Sequence, residues 1–461
     1  MKLVVLDPTG HCNLRCGHCF ADGYKALHPS RDDLLDTIRL LPDGFGVYII
    51  GGEPLLRDDI FELIQACVQQ GHRTSIATNA TLIDSSVADN LIKSGISSIN
   101  CSLDGPSPQV HDALRGPGAW RRAMDGILCL NEALTDDEAL TICLTINSIN
   151  YCHVEETMAM LDQKGVYANI FLERTVALGR AVENAYLVPS DEQWLEACEQ
   201  LCRGWKRWPR LLNLTFYLPS ILLRLVSVQF GVVLKESRYL CPLLTGAVWG
   251  RIFPDGRLYS CGRRNILEEA AAKGLLPDEG QIALEVLKKQ PSRDQPYPSS
   301  VERLHDLAAA PDHEFCLSCL ERTFCLDCPA EVLLGKPFMP SLCMLGCQRY
   351  TGVASNAAPA EIDVPGRKAV AQQADGVQVR PDAYTKDLRS GAKMLFVPGN
   401  PYALRLTGEA TAAWNSIAAG HSLPYLKLHH PSIPFIGDVS LNVEDFLVIL
   451  QRYGTVESWT A

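Results

Sequence analysis

The stretch Cys12-Asn-Leu-Arg-Cys16-Gly-His-Cys19, followed by Phe20, decides how this chain is read. Its cysteines stand in a Cys-x3-Cys-x2-Cys pattern just after the apolar run Leu3-Val4-Val5-Leu6. Three thiolates can hold three irons of a cubane 4Fe–4S cluster and leave the fourth iron open. An open iron can bind a small chelating ligand and pass it one electron.

Outward from that stretch, residues 1–185 alternate short β-rich runs with amphipathic helical runs. The runs at 2–6, 46–50, 74–77, 97–103, 140–146 and 168–172 read as strands; 32–41, 60–70 and 154–164 read as helices. Such alternation predicts an α/β fold with a parallel sheet and right-handed crossovers. Its six units suggest an open partial (β/α)6 TIM-like barrel. Further motifs fall where the predicted strands end, the face where such barrels bind ligands. They are Gly51-Gly52-Glu53-Pro54, Thr78-Asn79-Ala80 and Ser102-Leu103-Asp104-Gly105 with Arg115, then Asn147 with Asn150, then Glu173-Arg174. Singly they are weak: Gly-Gly-Glu-Pro is usually a turn, Ser102 a helix cap and Arg115 a solvated charge.

In this order after the cysteine triplet, the motifs resemble the radical SAM enzymes across residues 1–185. The resemblance implies Cys12, Cys16 and Cys19 as ligands of a 4Fe–4S cluster that binds S-adenosylmethionine. Gly51, Gly52 and Glu53 would hold the methionyl amine, and Ser102 with Arg115 the methionyl carboxylate. Asn79, Asp104 and Asn147 complete the expected cofactor-binding set. The implied chemistry is reductive cleavage of the sulfonium and hydrogen abstraction by a 5′-deoxyadenosyl radical. The residue types leave the catalytic group open among Glu173, Asp104, Tyr259 and His18.

The chain has 461 residues, enough for several domains, and 47% of them are hydrophobic. No secretory start and no bilayer-length apolar run is visible, so a cytoplasmic protein without a membrane partner is expected. Eighteen cysteines in such a chain favour metal over disulfides. A net charge of −11 argues against nucleic acid.

Residues 186–237 read as a helical bridge, with the apolar segment 217–234 as a core helix. Residues 238–350 carry Cys241, Cys261, Cys316, Cys319, Cys325, Cys328, Cys343 and Cys347. On spacing alone, a zinc ribbon is as good a reading as an iron–sulfur one. The array resembles the SPASM extension, which implies two auxiliary 4Fe–4S clusters and three in all. Cys241, Cys261 and Cys328 would hold one, and Cys316, Cys319, Cys325 and Cys343 the other. Cys347 could close the first site or replace Cys343. The remaining cysteines, at positions 67, 101, 129, 143, 152, 198 and 202, read mostly as buried small hydrophobes.

Residues 351–375 read as a linker, and 376–461 as a small domain with strands at 377–379, 394–397 and 402–406. Ala410, Trp414 and Ile417 share one helical face, as core residues do. The pattern resembles the PqqD-like domain, a winged helix that takes a leader peptide along a sheet edge. From Asp375 onward seven Lys and Arg stand against eight Asp and Glu, a net of −1 that disfavours DNA.

The whole implies a maturase of a ribosomally made precursor peptide, forming a crosslink, thioether or other rearrangement. An electron donor such as flavodoxin or ferredoxin would serve it. An anaerobic sulfatase-maturase-like enzyme ranks lower, because Gly262 follows Cys261 where those enzymes carry an aspartate. A metal-stapled binding protein would leave the strand-end motifs unexplained.

Overall fold

The computed structural model describes residues 2–21, 26–136, 139–232, 248–260, 264–274, 280–289 and 339–351, and most of 372–459. The first part runs β1 (Leu3–Leu6), α1 (Arg31–Arg39), β2 (Gly46–Ile49), α2 (Ile60–Gln69), β3 (Arg73–Thr78), α3 (Ser85–Lys93) and β4 (Ser98–Ser102). It continues through α4 (Pro108–Arg115), α5 (Ala119–Ala133), β5 (Leu140–Ile146), α6 (Val154–Gln163), β6 (Ala168–Arg174), α7 (Asp191–Trp205) and β7 (Leu211–Thr215). Capping side chains start the helices: Ser30 accepts from Asp33 N, Asp84 accepts from Val87 N, and Ser190 with Gln193 closes a capping box on α7.

Next come α8 (Ser220–Phe230), β8 (Val248–Ile252), β9 (Arg257–Tyr259), α9 (Arg264–Ala272), β10 (Gln281–Ile282), α10 (Ala283–Lys288) and α11 (Met339–Thr351). Ten strands make one sheet in the order β10-β9-β8-β1-β2-β3-β4-β5-β6-β7. β1 to β8 pair in parallel, and β9 and β10 turn back antiparallel. The expected parallel, partial barrel-like α/β core is present.

Strand alternation builds its two faces. Ile76, Ile99, Cys101, Ile142, Leu144, Ile170 and Leu214 belong to the buried core shared with the helices. Ser75, Ser98, Asn100, Thr141, Thr145, Asn169 and Asn213 occupy the alternate positions and are half-buried. Ser75 and Ser98 bond at 2.7 Å, and Asn213 donates to Asn169 at 2.9 Å, so these side chains share the inward face.

The sheet extends beyond the six expected strands. β7 arises inside the stretch read as a helical bridge, from Leu211-Leu212-Asn213-Leu214-Thr215. With Leu211, Leu212 and Leu214 all buried, the run lacks the alternation that marks a half-buried strand. α8 buries Leu222, Leu223, Leu225 and Val226, as expected of a core helix. No helix among the described residues is long and apolar enough to cross a membrane.

The last part contains β11 (Gln372–Ala374), β12 (Val377–Val379), β13 (Tyr384–Asp387), β14 (Lys393–Phe396), β15 (Leu404–Leu406), α12 (Gly408–Ala418) and α13 (Leu423–His429). It ends with β16 (Ile433–Pro434), β17 (Ser440–Leu441), α14 (Val443–Tyr453) and β18 (Val456–Trp459). β11 lies in the stretch expected to be linker. Ala410, Trp414 and Ile417 pack with Phe446 and Leu450 in a separate core, as the helical face predicts.

β13 docks this part onto the barrel. Asp387 N donates to Pro209 O (3.0 Å), and Trp205 Nε1 donates to the Tyr384 hydroxyl (2.9 Å). The Lys386 side chain is fully buried over the Trp205 ring, and its Nζ reaches Trp205 O and, at 3.0 Å, Trp208 O. It satisfies the Trp205 carbonyl at the end of α7 and shares Trp208 O with the Leu211 N–H (3.3 Å). Lys386→Ala should therefore lower the urea midpoint, at a cost of about 2–3 kcal/mol, followed by tryptophan fluorescence.

Candidate functional site

The cysteine loop lies across the ends of β1 to β4. Gly52 N donates to Thr9 O (2.8 Å) and Glu53 N to His11 O (2.7 Å), so the Gly51–Glu53 backbone runs along the loop's start. This contact explains the glycines. A Cβ on Gly52 would stand 2.0 Å from His11 O, and one on Gly51 2.5 Å from Thr9 O at φ +122°. Both glycines are demanded by the protein's own backbone.

Glu53 is fully buried, and its carboxylate accepts from Thr78 Oγ1 (2.8 Å), Asn79 N (2.7 Å) and Leu55 N (3.1 Å). Burial pushes its carboxyl up to about 7, against those hydrogen bonds. Asn79 accepts from the Thr81 N–H and hydroxyl, and its Nδ2 donates to Asn13 Oδ1 (2.8 Å). Asn13 Nδ2 closes the ring on Thr81 Oγ1 (2.8 Å). Asn13 and Thr81 had no motif to announce them; a polar residue inside the cysteine spacing was the available signal.

The three thiols gather around Leu14 and Ala119, and none is in a disulfide. N–H donors approach their sulfurs: Leu14 N at 3.4 Å and Asn79 Nδ2 at 3.9 Å from Cys12, and Arg115 Nη1 at 4.0 Å from Cys16. Such donors suit thiolates bearing the negative charge of a cluster. Three thiols on one loop, with N–H donors at two of their sulfurs, form a donor set that fits a cubane cluster.

Arg115 is buried and gives its Nε to Asp104 Oδ2 at 2.6 Å. Asp104 also accepts from Thr145 N (2.8 Å) and lies 3.7 Å from His18 Nε2. Burial alone would raise the Asp104 carboxyl; Arg115 and His18 outweigh it and hold it near 2. Arg115 is thus a charge held between Asp104 and the Cys16 thiol.

The other expected residues divide. Ser102 lies opposite Cys143 in the β4–β5 register, and Thr145 lies opposite Glu173 across β5–β6. Burial raises the Tyr48 hydroxyl, with Cys143 and Glu173 adding to the shift, which puts all three in one interior. Asn147 is fully buried and builds its own loop: its Oδ1 accepts from Ile149 N and Asn150 N, and its Nδ2 donates to Thr145 O. Tyr259 turns its hydroxyl to Glu268 (2.8 Å) on α9. Cys343 and Cys347 are buried on α11, in one core with Cys198 and Cys202 on α7. Cys67 and Cys101 are buried as expected, whereas Cys152 is exposed. Cys241, Cys261, Cys316, Cys319, Cys325 and Cys328 lie outside the described residues.

Residues 6–161 match the radical SAM superfamily. The chain carries a radical SAM domain. This family implies a 4Fe–4S cluster and S-adenosylmethionine, and the loop of Cys12, Cys16 and Cys19 offers a fitting donor set. Among curated proteins, the AdoMet-dependent heme synthase of Nitratidesulfovibrio vulgaris is 34% identical over 39% of this chain and 50% of its own length. The mycofactocin maturase MftC of Mycobacterium ulcerans is 28% identical over 38% of this chain and 47% of its own. The chain thus spans about half the length of these relatives. Among solved structures, Streptococcus suis SuiB bound to precursor peptide SuiA superposes with a TM-score of 0.55 at 19% identity. That likeness covers 74% of this chain and 75% of SuiB, and it concerns the radical SAM fold.

Two outcomes follow. Asp104→Asn should cost about 3–5 kcal/mol by chemical denaturation, because it strands a buried Arg115; Arg115→Met on that background should recover part of the loss. Gly52→Ala should force residues 9–11 aside, costing about 1–3 kcal/mol, and reduce the iron bound after anaerobic loading.

Proposed function

We propose that this radical SAM protein modifies a ribosomally synthesised precursor peptide. The observation that carries the reading is the inward face of β3 to β7, where Ser75, Ser98, Asn100, Ser102, Thr141, Thr145, Asn169 and Asn213 offer neutral donors and acceptors. Such groups suit the amides of an extended peptide. A carboxylate-bearing macrocycle would want cations there, and the inward Arg251 is already held bidentate by Asp7, at 3.0 and 2.6 Å.

Cys12, Cys16 and Cys19 would hold the cluster, which with S-adenosylmethionine supplies a 5′-deoxyadenosyl radical when bound. Asn79 and Arg115 would orient and stabilise the thiolates, and the backbone at Gly51–Glu53 would present carbonyls to the methionyl amine. Ser102, beside Cys143, stands where a carboxylate could be held. Glu173, opposite Thr145 across β5–β6, and His18, 3.7 Å from Asp104, are the candidates for a base beside the substrate. The last part of the chain, a PqqD-like winged helix in this reading, would take the leader as an added strand. On the SPASM reading of the second cysteine field, two auxiliary clusters would accept an electron from the product radical or bind the substrate.

A second reading, tetrapyrrole chemistry, draws on the heme synthase relative. The two are separated by anaerobic loading, metal counting and 5′-deoxyadenosine assay with candidate substrates. We expect about 12 irons per chain, formation of 5′-deoxyadenosine that Cys16→Ala abolishes, and stimulation by a candidate precursor peptide. About four irons with zinc would make the second field structural. Stimulation by a porphyrin precursor and not by peptide would overturn the peptide reading.

A further inference from the structure

The inward face of the barrel carries aromatic rings as well as hydroxyls and amides, and the rings gather at one corner. Across β6–β7 Phe171 lies opposite Thr215, and Tyr217, two residues on, turns its ring edge-on to Phe171, with centroids 5.8 Å apart at 90°. Glu173, two residues past Phe171, takes the same face near the carboxyl end of β6 and is exposed there. Ser102, Cys143 and Phe171 stand abreast on β4, β5 and β6. Tyr48 reaches the corner from β2: burial raises its hydroxyl, and Cys143, Glu173 and Tyr217 add to the shift.

These rings do not fill the core. Tyr48, Phe171 and Tyr217 are half-buried, and none belongs to the apolar core or to the partly buried side chains packed on it. The corner also carries negative charge. The arginines around it are each drawn to another carboxylate: Arg115 to Asp104 (2.6 Å), Arg251 to Asp7 (2.6 Å) and Arg174 to Asp191 (3.0 Å). Glu173 adds a carboxylate beyond those three. Ring faces are electron-rich, and beside a carboxylate they attract a cation most strongly where water is excluded.

We propose that Tyr48, Phe171 and Tyr217 form a cage, closed by Glu173, for a cationic side chain of the peptide, a lysine ammonium or an arginine guanidinium. The proposal rests on the reading of this protein as a peptide maturase and names the kind of residue that its chamber selects. The neutral groups of β3 to β7 take the peptide backbone, and the cage fixes which side chain is brought beside Ser102 and Cys143. Glu173 repels an anionic side chain, and an apolar one of the same length forfeits both the ion pair and the cation–π contact.

The test uses the full chain, loaded anaerobically, and acetylated, amidated pentapeptides with alanines around a central lysine, arginine, norleucine or glutamate. Affinity is read by ligand-observed NMR, and 5′-deoxyadenosine is assayed with the same peptides. The lysine or the arginine peptide should bind roughly tenfold more tightly than the norleucine peptide, and the glutamate peptide more weakly still. Whichever of the two cationic peptides binds more tightly names the side chain. Tyr217→Leu and Glu173→Gln should each remove most of the cationic preference, and Glu173→Gln should leave norleucine binding unchanged. A Glu173 that served only as a base would leave the preference intact. If Tyr217→Leu misfolds, Glu173→Gln and the wild-type series carry the test. Equal affinity for the lysine, arginine and norleucine peptides, or a preference that survives both variants, would overturn the cage. A cationic preference that both variants remove, without any peptide-stimulated 5′-deoxyadenosine, upholds the cage and fails the maturase reading instead.

Discussion

The carboxylate of Glu53 sits out of water with three donors around it, and the arrangement of the site depends on that placement. Through Thr78 and Asn79 it ties the end of β2 to the end of β3. Asn79 passes the constraint to Asn13 and to the Cys12 sulfur. A buried carboxylate without partners would be costly; paired with backbone and hydroxyl donors, it becomes a rigid joint between strands and loop. The cysteines are therefore aimed by polar contacts more than by the apolar core beneath them.

A second buried charge pair completes the cradle from the other side. Asp104, at the end of β4, fixes Arg115, and Arg115 faces the Cys16 sulfur. Burial makes both charges depend on each other, so the guanidinium cannot drift into solvent. Burial pushes the Cys16 thiol up, and the Arg115 cation works against that shift, toward the thiolate an iron site requires. The same Asp104 holds Thr145 N, which carries the constraint to β5 and to the inward face beside Glu173.

The barrel also meets the last part of the chain through a polar contact. Lys386 closes the carbonyl end of α7, while Leu388, Leu212 and Ala392 supply a small apolar seam beside it. The orientation of that part is set where helix α7 runs out of internal donors. A module that captured a leader would thereby be held at a fixed distance from the barrel.

The six strands of the barrel core and the cysteine triplet were legible in the sequence, because period-two alternation and fixed cysteine spacing are local properties. β7 was not, since the adjacent buried Leu211 and Leu212 break the alternation that would mark a strand. The glycines at 51 and 52 were visible as a motif, but their partner, the carbonyls of Thr9 and His11, exists only once β1 and β2 lie side by side. Likewise Arg115 reads as a surface charge until α4 turns it inward onto Asp104. Sequence by itself determined which atoms could hold iron and which segments would be strands. The tertiary structure alone decided which charges are buried together, because burial and pairing arise between segments that are distant along the chain.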